Sequence, residues 1–357
     1  MSAVTRRKRA RWFLRRVFRR TRARLLAPVY WDRLRDPAHA VAVVGTARSG
    51  TTWLGGILAN GLGARIVFEP LHPVHVPRAA PFGLMPFRAP DDDDPELEAF
   101  CKDIFSGALR GWWVDRQASR LLPTGRVVKS VRANLMLAWL RRCFPQVPMV
   151  LLVRHPAAVV LSRMEAGWPP AMDVDAMLGD ERLVAAHLAD HVEWARTLRT
   201  PEARHALVWG IHYLVATAQY RPDDGTAVVF YEDLVSDPAG VLAEIHARIG
   251  RTPVDTSPRA LRRPSPTARI RGSAGAGASP HRWLERLSRE QAGQVREVVE
   301  RLELDWIYGS DRAPRREARE RLRAAGLDPD AAATGSASAT GTEPPSWPAP
   351  RIATAED

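Results

Sequence analysis

Residues 45–53 read Gly-Thr-Ala-Arg-Ser-Gly-Thr-Thr-Trp, between the apolar runs Val41–Val44 and Leu54–Leu58. A strand, a glycine turn and a helix in that order present backbone N–H groups and a positive helix end to an anion. The chemistry this favours is the binding of a phosphate-like group. The spacing from Gly45 to Gly50 matches a P-loop, but a Walker nucleotide site needs Lys-Ser/Thr after the second glycine. Here Thr51-Thr52 follows, and Arg48 is the cation inside the loop. A second anion site is encoded further on. Met149–Val153 is a buried-strand pattern, Arg154 closes it, and Pro156 opens a helix that carries Ser162. A guanidinium fork and a hydroxyl suit a second phosphate. A ligand with two separated anionic groups fits the pair.

On these residues the chain resembles the PAPS-dependent sulfotransferases. Their phosphosulfate loop is similar to Arg48-Ser49-Gly50-Thr51-Thr52-Trp53, with Arg48 where cytosolic members usually carry lysine. Their 3′-phosphate motif is similar to Arg154-x-Pro156 followed by Ser162, and a third match is Phe230-Tyr231-Glu232-Asp233-Leu234, then Asp237-Pro238. The three occur in the family order and span about residues 41 to 250. The resemblance implies PAPS as co-substrate, held at the phosphosulfate by Arg48, Ser49, Gly50, Thr51 and Thr52. It places Trp53 and Tyr231 beside the adenine and Arg154 and Ser162 on the 3′-phosphate. Arg269 and Arg271 stand where a basic, glycine-containing loop closes over that phosphate, although the usual Arg-Lys-Gly run is missing.

Sulfuryl transfer, by analogy with phosphoryl transfer, has a loose transition state with charge on peripheral oxygens. The protein must align the reactants and neutralise the leaving phosphate, which Arg48 and the loop N–H groups can do. The sequence requires no metal for this. Lys129 ends the run Arg126–Ser130, and the resemblance places it near the transferring oxygens. A base must take the acceptor proton. Val131 stands where cytosolic members carry a histidine after that lysine. Glu69 in Phe68-Glu69-Pro70-Leu71 resembles the glutamate of membrane-bound carbohydrate sulfotransferases and is the expected base, with His72 second. The expected catalytic set is therefore Glu69, Arg48 and Lys129.

Five apolar runs must position these groups: Val41–Val44, Ile66–Phe68, Val127–Val128, Val150–Val153 and Ala227–Phe230. Helical patterns separate them, at Glu96–Leu109, at Ala133–Cys143 and through a long stretch from Glu181 to Ala218 that reads as two or more helices. The alternation predicts an α/β fold, a P-loop-like three-layer sandwich around a central parallel sheet. Ligands of such sheets bind beyond the carboxyl ends of the strands. Arg48, Glu69, Lys129, Arg154 and Tyr231 all close or follow their runs.

The 357-residue chain is 45% hydrophobic, as a soluble globular enzyme is. Its two cysteines, Cys101 and Cys143, have no metal-ligand spacing. His187 and His191 lie four apart without a third ligand, and Asp91–Asp94 reads as a solvated loop ending in a helix cap. Of the net charge of +12, eleven Lys/Arg fall in residues 1–24, leaving about +1 for the rest. That excludes a protein-wide nucleic-acid surface. Trp12, Phe13, Leu14, Val17 and Phe18 interleave with those cations, so the arm fits an amphipathic helix on an anionic membrane as well as it fits a lightly packed terminal helix. The expected organisation is a basic arm (1–36), a catalytic domain (37–310), a short charged helix (311–327) and a low-complexity tail (328–357). Without an apolar leader or span the expected location is the cytoplasm, with the inner membrane surface as the arm's alternative. The acceptor, a hydroxyl or amine on a small molecule, a carbohydrate or a lipid-linked group, is expected to meet segments 70–125, 165–200 and 255–285, which carry Trp112, Trp113 and Trp168. The alternatives are a small-molecule P-loop kinase, which would need the missing Walker lysine, and a non-catalytic membrane-bound nucleotide-binding protein.

Overall fold

Each of the five apolar runs is a strand in the computed structural model, which describes residues 34–118, 122–221, 225–253 and 279–323. Residues 1–33 of the arm, Arg269, Arg271 and the tail lie outside the described residues. The strands are β1 (Ala40–Val44), β2 (Arg65–Phe68), β3 (Arg126–Ser130), β4 (Met149–Val153) and β5 (Thr226–Phe230). They form one sheet in the order β2-β3-β1-β4-β5, with every pairing parallel. The runs are continuously apolar because helices cover both faces of such a sheet. The fold is a P-loop-like α/β sandwich.

Successive side chains of each strand divide between two cores. Val41, Val43, Val127, Val150, Leu152 and Val229 pack against Leu54 and Leu58 of α1 (Thr51–Gly61). Ala42, Val44, Val128, Leu151 and Val153 belong to the other core. That core takes in α2 (Pro95–Ser106), α3 (Leu137–Cys143) and α4 (Pro156–Glu165), followed by the short α5 (Ala171–Leu178). The stretch from Glu181, expected to hold two or more helices, divides into several. A turn at Glu181–Leu183 runs into a π turn at Val184–Leu188, followed by α6 (Val192–Thr197) and the long, buried α7 (Pro201–Gln219). After β5 come α8 (Tyr231–Ser236) and α9 (Pro238–Arg248), and then α10 (Trp283–Arg286), α11 (Arg289–Arg301) and α12 (Arg316–Arg323).

Several starts follow one local rule. A side-chain cap followed by proline begins α2 (Asp94), α4 (His155), α7 (Thr200) and α9 (Asp237), satisfying the first N–H groups and presetting φ. The helix expected from Ala133 starts only at Leu137, because Asn134 Nδ2 donates to Val131 O at 2.9 Å and holds the preceding residues in a turn. The charged helix α12 packs on the domain. Arg319 grips both oxygens of Asp233 at 3.1 and 2.8 Å, Tyr220 Oη donates to Leu322 O at 2.8 Å, and Ala318 and Leu322 are buried.

The chain leaves β1 for the edge strand β2, returns through β3, and then passes over β1 to β4. The carboxyl ends of β1, β3 and β4 therefore bracket the point where the winding reverses, the standard ligand crevice of an open α/β sheet.

Candidate active site

The glycine loop leaves β1 at Gly45 and enters α1 at Gly50. Gly45 and Gly50 have φ of 145° and 106°, and Arg48 between them has φ 78°. A Cβ on Gly50 would sit 2.8 Å from the ring of Tyr231, and one on Gly45 would collide with Leu152 O. Both positions need glycine for space as well as for φ. The loop is tied from below. Tyr213 Oη accepts from Thr46 N–H at 3.4 Å and donates to Leu152 O at 2.8 Å, while Ser49 Oγ donates to Thr46 O at 2.6 Å. No side chain caps α1, so its first N–H groups face the crevice.

Arg48 reaches across to Ser162 of α4. Its Nε donates to Ser162 Oγ at 3.0 Å, and its guanidinium lies 5.6 Å from the ring centre of Trp168. Arg154 NH1 donates to Arg48 O at 3.0 Å, and its guanidinium sits 4.3 Å over Tyr231. Burial, then Arg154 beside it, push the Arg48 guanidinium below its ordinary value, with Arg163 adding to the effect and Glu165 opposing it. Arg48, Arg154, Ser162, Tyr231 and the loop thus form one cationic cluster. Arg154 Nε and Thr46 Oγ1 are buried there without a hydrogen-bond partner, as groups shaped for an absent anion would be.

A second cluster lies at the ends of β2 and β3. Glu69, with φ 45°, is buried in an ion pair with Lys129. Its other oxygen accepts from Val131 N–H at 3.2 Å and lies 3.4 Å from Arg132 NH1. Burial opposes the charged carboxylate, but Lys129 and Arg132 outweigh it and hold Glu69 below the usual range. Burial pushes the Lys129 ammonium down, against the pull of Glu69. Trp113 Nε1 donates to Glu69 O at 3.1 Å. His75 stacks on Trp113 at 3.6 Å, and His72 lies 4.5 Å from His75 and 5.0 Å from Trp113. Burial, Arg132 and His75 lower His72 to about 4, so it is neutral at pH 7, and its Nδ1 has no partner.

A buried strut connects the second motif to the third. Glu232 accepts from His155 N–H at 3.1 Å and from Tyr308 Oη at 2.6 Å. His155 Nδ1 accepts from Ala157 N–H at 3.2 Å, so Nε2 carries the proton that faces Asp311 O at 3.1 Å. The imidazole stacks on Trp283 at 4.3 Å, and burial lowers its pKa to about 3. Trp209 Nε1 donates to Arg154 O at 2.9 Å. These bonds fix the backbone on which Arg154 is mounted.

The structure thus brings Arg48, Ser49, Gly50, Thr51, Thr52, Arg154, Ser162 and Tyr231 to one end of the crevice, and Glu69, Lys129 and His72 to the other. Trp53 meets Tyr231 edge-on at 6.0 Å, with its Nε1 buried and unpartnered. Trp113 stands at Glu69, whereas Trp168 is 42% exposed beside Arg48. His187 packs on Phe87 at 5.5 Å in the π turn, and no group of three His, Cys, Asp or Glu among the described residues could hold a metal ion. Sequence reasoning missed Arg132. A second cation three residues after Lys129, at the end of the same strand, was the available signal.

A model of the sulfotransferase family matches residues 40–255. The sequence finds no match among curated proteins. Among solved structures, the chain is similar to the sulfotransferase domain of the curacin biosynthetic pathway, at 18% identity, 74% of this chain, 97% of that chain and TM-score 0.37. It is also similar to retinol dehydratase in a complex with retinol and PAP, at 17% identity, covering 80% and 85%, TM-score 0.40. A third is a sulfotransferase from Mycobacterium tuberculosis H37Rv, at 17% identity, covering 78% and 84%, TM-score 0.31.

Proposed function

The chain belongs to the sulfotransferase family, and on that premise we propose that it moves a sulfuryl group from PAPS to a hydroxyl or amine of its acceptor by in-line displacement. The observation that carries this reading is the separation of two cationic clusters at one sheet end, one on the glycine loop and one at the end of β3. Arg154, Ser162 and Arg48 hold the 3′-phosphate. The backbone N–H groups of the loop and of the first turn of α1 hold the 5′-phosphate, the leaving group. Tyr231 and Trp53 flank the adenine. No Walker lysine follows Gly50, which disfavours a kinase.

Lys129 faces the transferring sulfuryl oxygens. In the resting site its charge is spent on Glu69, which keeps the carboxylate a weak base. When the ammonium turns to the sulfuryl oxygens, Glu69 loses its strongest cationic neighbour and its basicity rises. The carboxylate then takes the acceptor proton as the new S–O bond forms. Donor binding and base activation are coupled through one lysine. His72 is the second reading for the base, favoured by its neutral ring and unpartnered Nδ1.

The test is calorimetric titration with adenosine 3′,5′-bisphosphate against Mg-ATP. Saturable binding of the bisphosphate with weak or no Mg-ATP binding is expected. The reverse preference would overturn the reading.

A further inference from the structure

The basic arm joins the domain at the end of the sheet opposite the crevice. Residues 1–33 lie outside the described part, and the domain begins at Leu34. Arg126, the buried first residue of β3, donates to Leu34 O at 2.7 and 2.6 Å and to Asp36 O at 2.8 Å. Arg251, just past α9, donates to Ala38 O. Alternate carbonyls ahead of β1 are gripped in this way, and Ala40 pairs with Arg126, so the root of the arm is fixed at the amino ends of β1 and β3. The glycine loop leaves the other end of β1, and five residues at about 3.3 Å each put it roughly 16 Å from that root.

The surface around the root combines open cations with apolar side chains. Leu34 is exposed, and Leu122, four residues before β3, is 67% exposed. Arg35 is exposed next to Leu34 in the chain, while the neighbouring acid Asp36 turns to Ala38 N–H at 2.9 Å. Arg221, exposed at the turn from α7 to β5, donates to Ala218 O and Tyr220 O at 3.2 and 2.8 Å. Among the described residues no carboxylate pairs with Arg35, Arg221 or Arg251. At the crevice end, by contrast, Arg282 and Arg286 lie 3.0 and 3.9 Å from Glu165, and Arg163 pairs with Asp173. The arm adds eleven Lys/Arg in residues 1–24, interleaved with Trp12, Phe13, Leu14, Val17 and Phe18. Cations beside apolar side chains are drawn to anionic lipid.

The donor decides which way the domain must face. PAPS is polyanionic, and an anionic membrane repels such a ligand within a Debye length, about 8 Å at physiological salt. A crevice pressed on the lipid would exclude its own donor. With the root against the lipid, the glycine loop stands about two Debye lengths away.

We propose that the amino-end face of the sheet, together with the arm, docks on an anionic lipid surface and turns the crevice toward the water, so that donor and acceptor both enter from the aqueous side. The polyanionic donor is taken from the sulfuryl-transfer reading; the root, the open cations and the leucines stand without it.

The experiment uses the full chain and vesicles of equal parts phosphatidylcholine and phosphatidylglycerol at low salt. In a Cys143→Ser background, a fluorophore is attached through Leu122→Cys. Separate variants carry it through Val74→Cys or Met172→Cys, both exposed on the crevice side. Brominated lipid should quench the probe at position 122 and spare those at positions 74 and 172. Arg35→Glu with Arg221→Glu should weaken vesicle binding at least about 10-fold, because two cations are reversed within the field of the lipid. The same reversal at Arg286 and Arg289, both exposed near the crevice end, should cost under about 3-fold. Adenosine 3′,5′-bisphosphate should bind free and vesicle-bound protein equally well. No vesicle binding, no quenching at position 122, quenching at position 74 or 172, equal losses for the two reversed pairs, or bisphosphate affinity lost on vesicles would overturn the proposal. A free protein that ignores the bisphosphate would instead sink the sulfuryl-transfer reading and leave the docking face standing.

Discussion

Arg154→Ala separates the two phosphates of the donor. In the resting site one guanidinium arm is used by Arg48 O at 3.0 Å, while Nε is buried and unpartnered. A bound 3′-phosphate would gain Nε and a second arm. A hydrogen bond to a charged group contributes about 1.5–3 kcal/mol, so losing this fork should cost about 3 kcal/mol. That is roughly 10²-fold in affinity for adenosine 3′,5′-bisphosphate. Adenosine 5′-phosphate lacks the contacted group, and its affinity should change only a few-fold. The cation–π contact with Tyr231 disappears in both cases and cancels in the comparison. Isothermal titration of both nucleotides against wild type and variant gives the four constants. Equal losses for the two ligands would refute the assignment and reduce Arg154 to a support for the loop.

Glu69→Gln should lower kcat by about 10²–10⁴ with bisphosphate affinity near wild type. It should also lower stability, because Lys129 loses its buried partner; retained turnover would pass the role to His72. Gly50→Ala should abolish donor binding, since its Cβ would meet the Tyr231 ring at 2.8 Å at a φ of 106°; a variant that binds normally would show that the loop gives way. His155 and His212 are buried and held neutral, each lowered to about 3 by burial. Their folded values lie below the unfolded one, so stability is full above about pH 6.5 and falls as pH drops toward 3, by about 1.4 kcal/mol per pH unit per histidine. Denaturant titrations of His212→Gln should show a shallower pH slope than wild type over that window, and an unchanged slope would contradict the burial argument. Deleting residues 1–24 should abolish salt-sensitive sedimentation with anionic vesicles and leave turnover of a soluble acceptor intact. A full-length chain that ignores such vesicles at low salt would remove the membrane role of the arm.

The strands and the glycine loop were legible because their signals are local. An uninterrupted Val-rich run followed by Gly-x₄-Gly admits few other structures, and Gly50 is required by a ring that the sequence could not show to be near. What was not legible depends on contacts across long stretches of chain. Tyr308 reaches Glu232 over 76 positions, and Lys129 reaches Glu69 over 60. A salt bridge at the strand end was the other reading of Glu69, but nothing near it in sequence names Lys129 as the partner.

The third motif gains a mechanical meaning from the fold. Val153 pairs with Phe230 across β4 and β5, so Arg154 and Tyr231 leave the sheet side by side. Tyr231 then packs on Gly50 of the loop, and Glu232 holds the backbone of His155. One dipeptide therefore touches both motifs proposed to bind anions, the first through a ring and the second through a buried carboxylate. The span between the two proposed anion sites is tied to that strand register. A donor whose two phosphates are fixed by a ribose rewards a rigid gauge of this kind. Burial raises the pKa of Glu232, yet its two hydrogen-bond donors, His155 N–H and Tyr308 Oη, both need an acceptor. Removing either donor should loosen the gauge without touching any group that contacts the donor. Tyr308→Phe is thus expected to weaken the preference for the bisphosphate over adenosine 5′-phosphate, by less than Arg154→Ala and in the same direction. An unchanged preference would mean that strand pairing alone holds Arg154 in place.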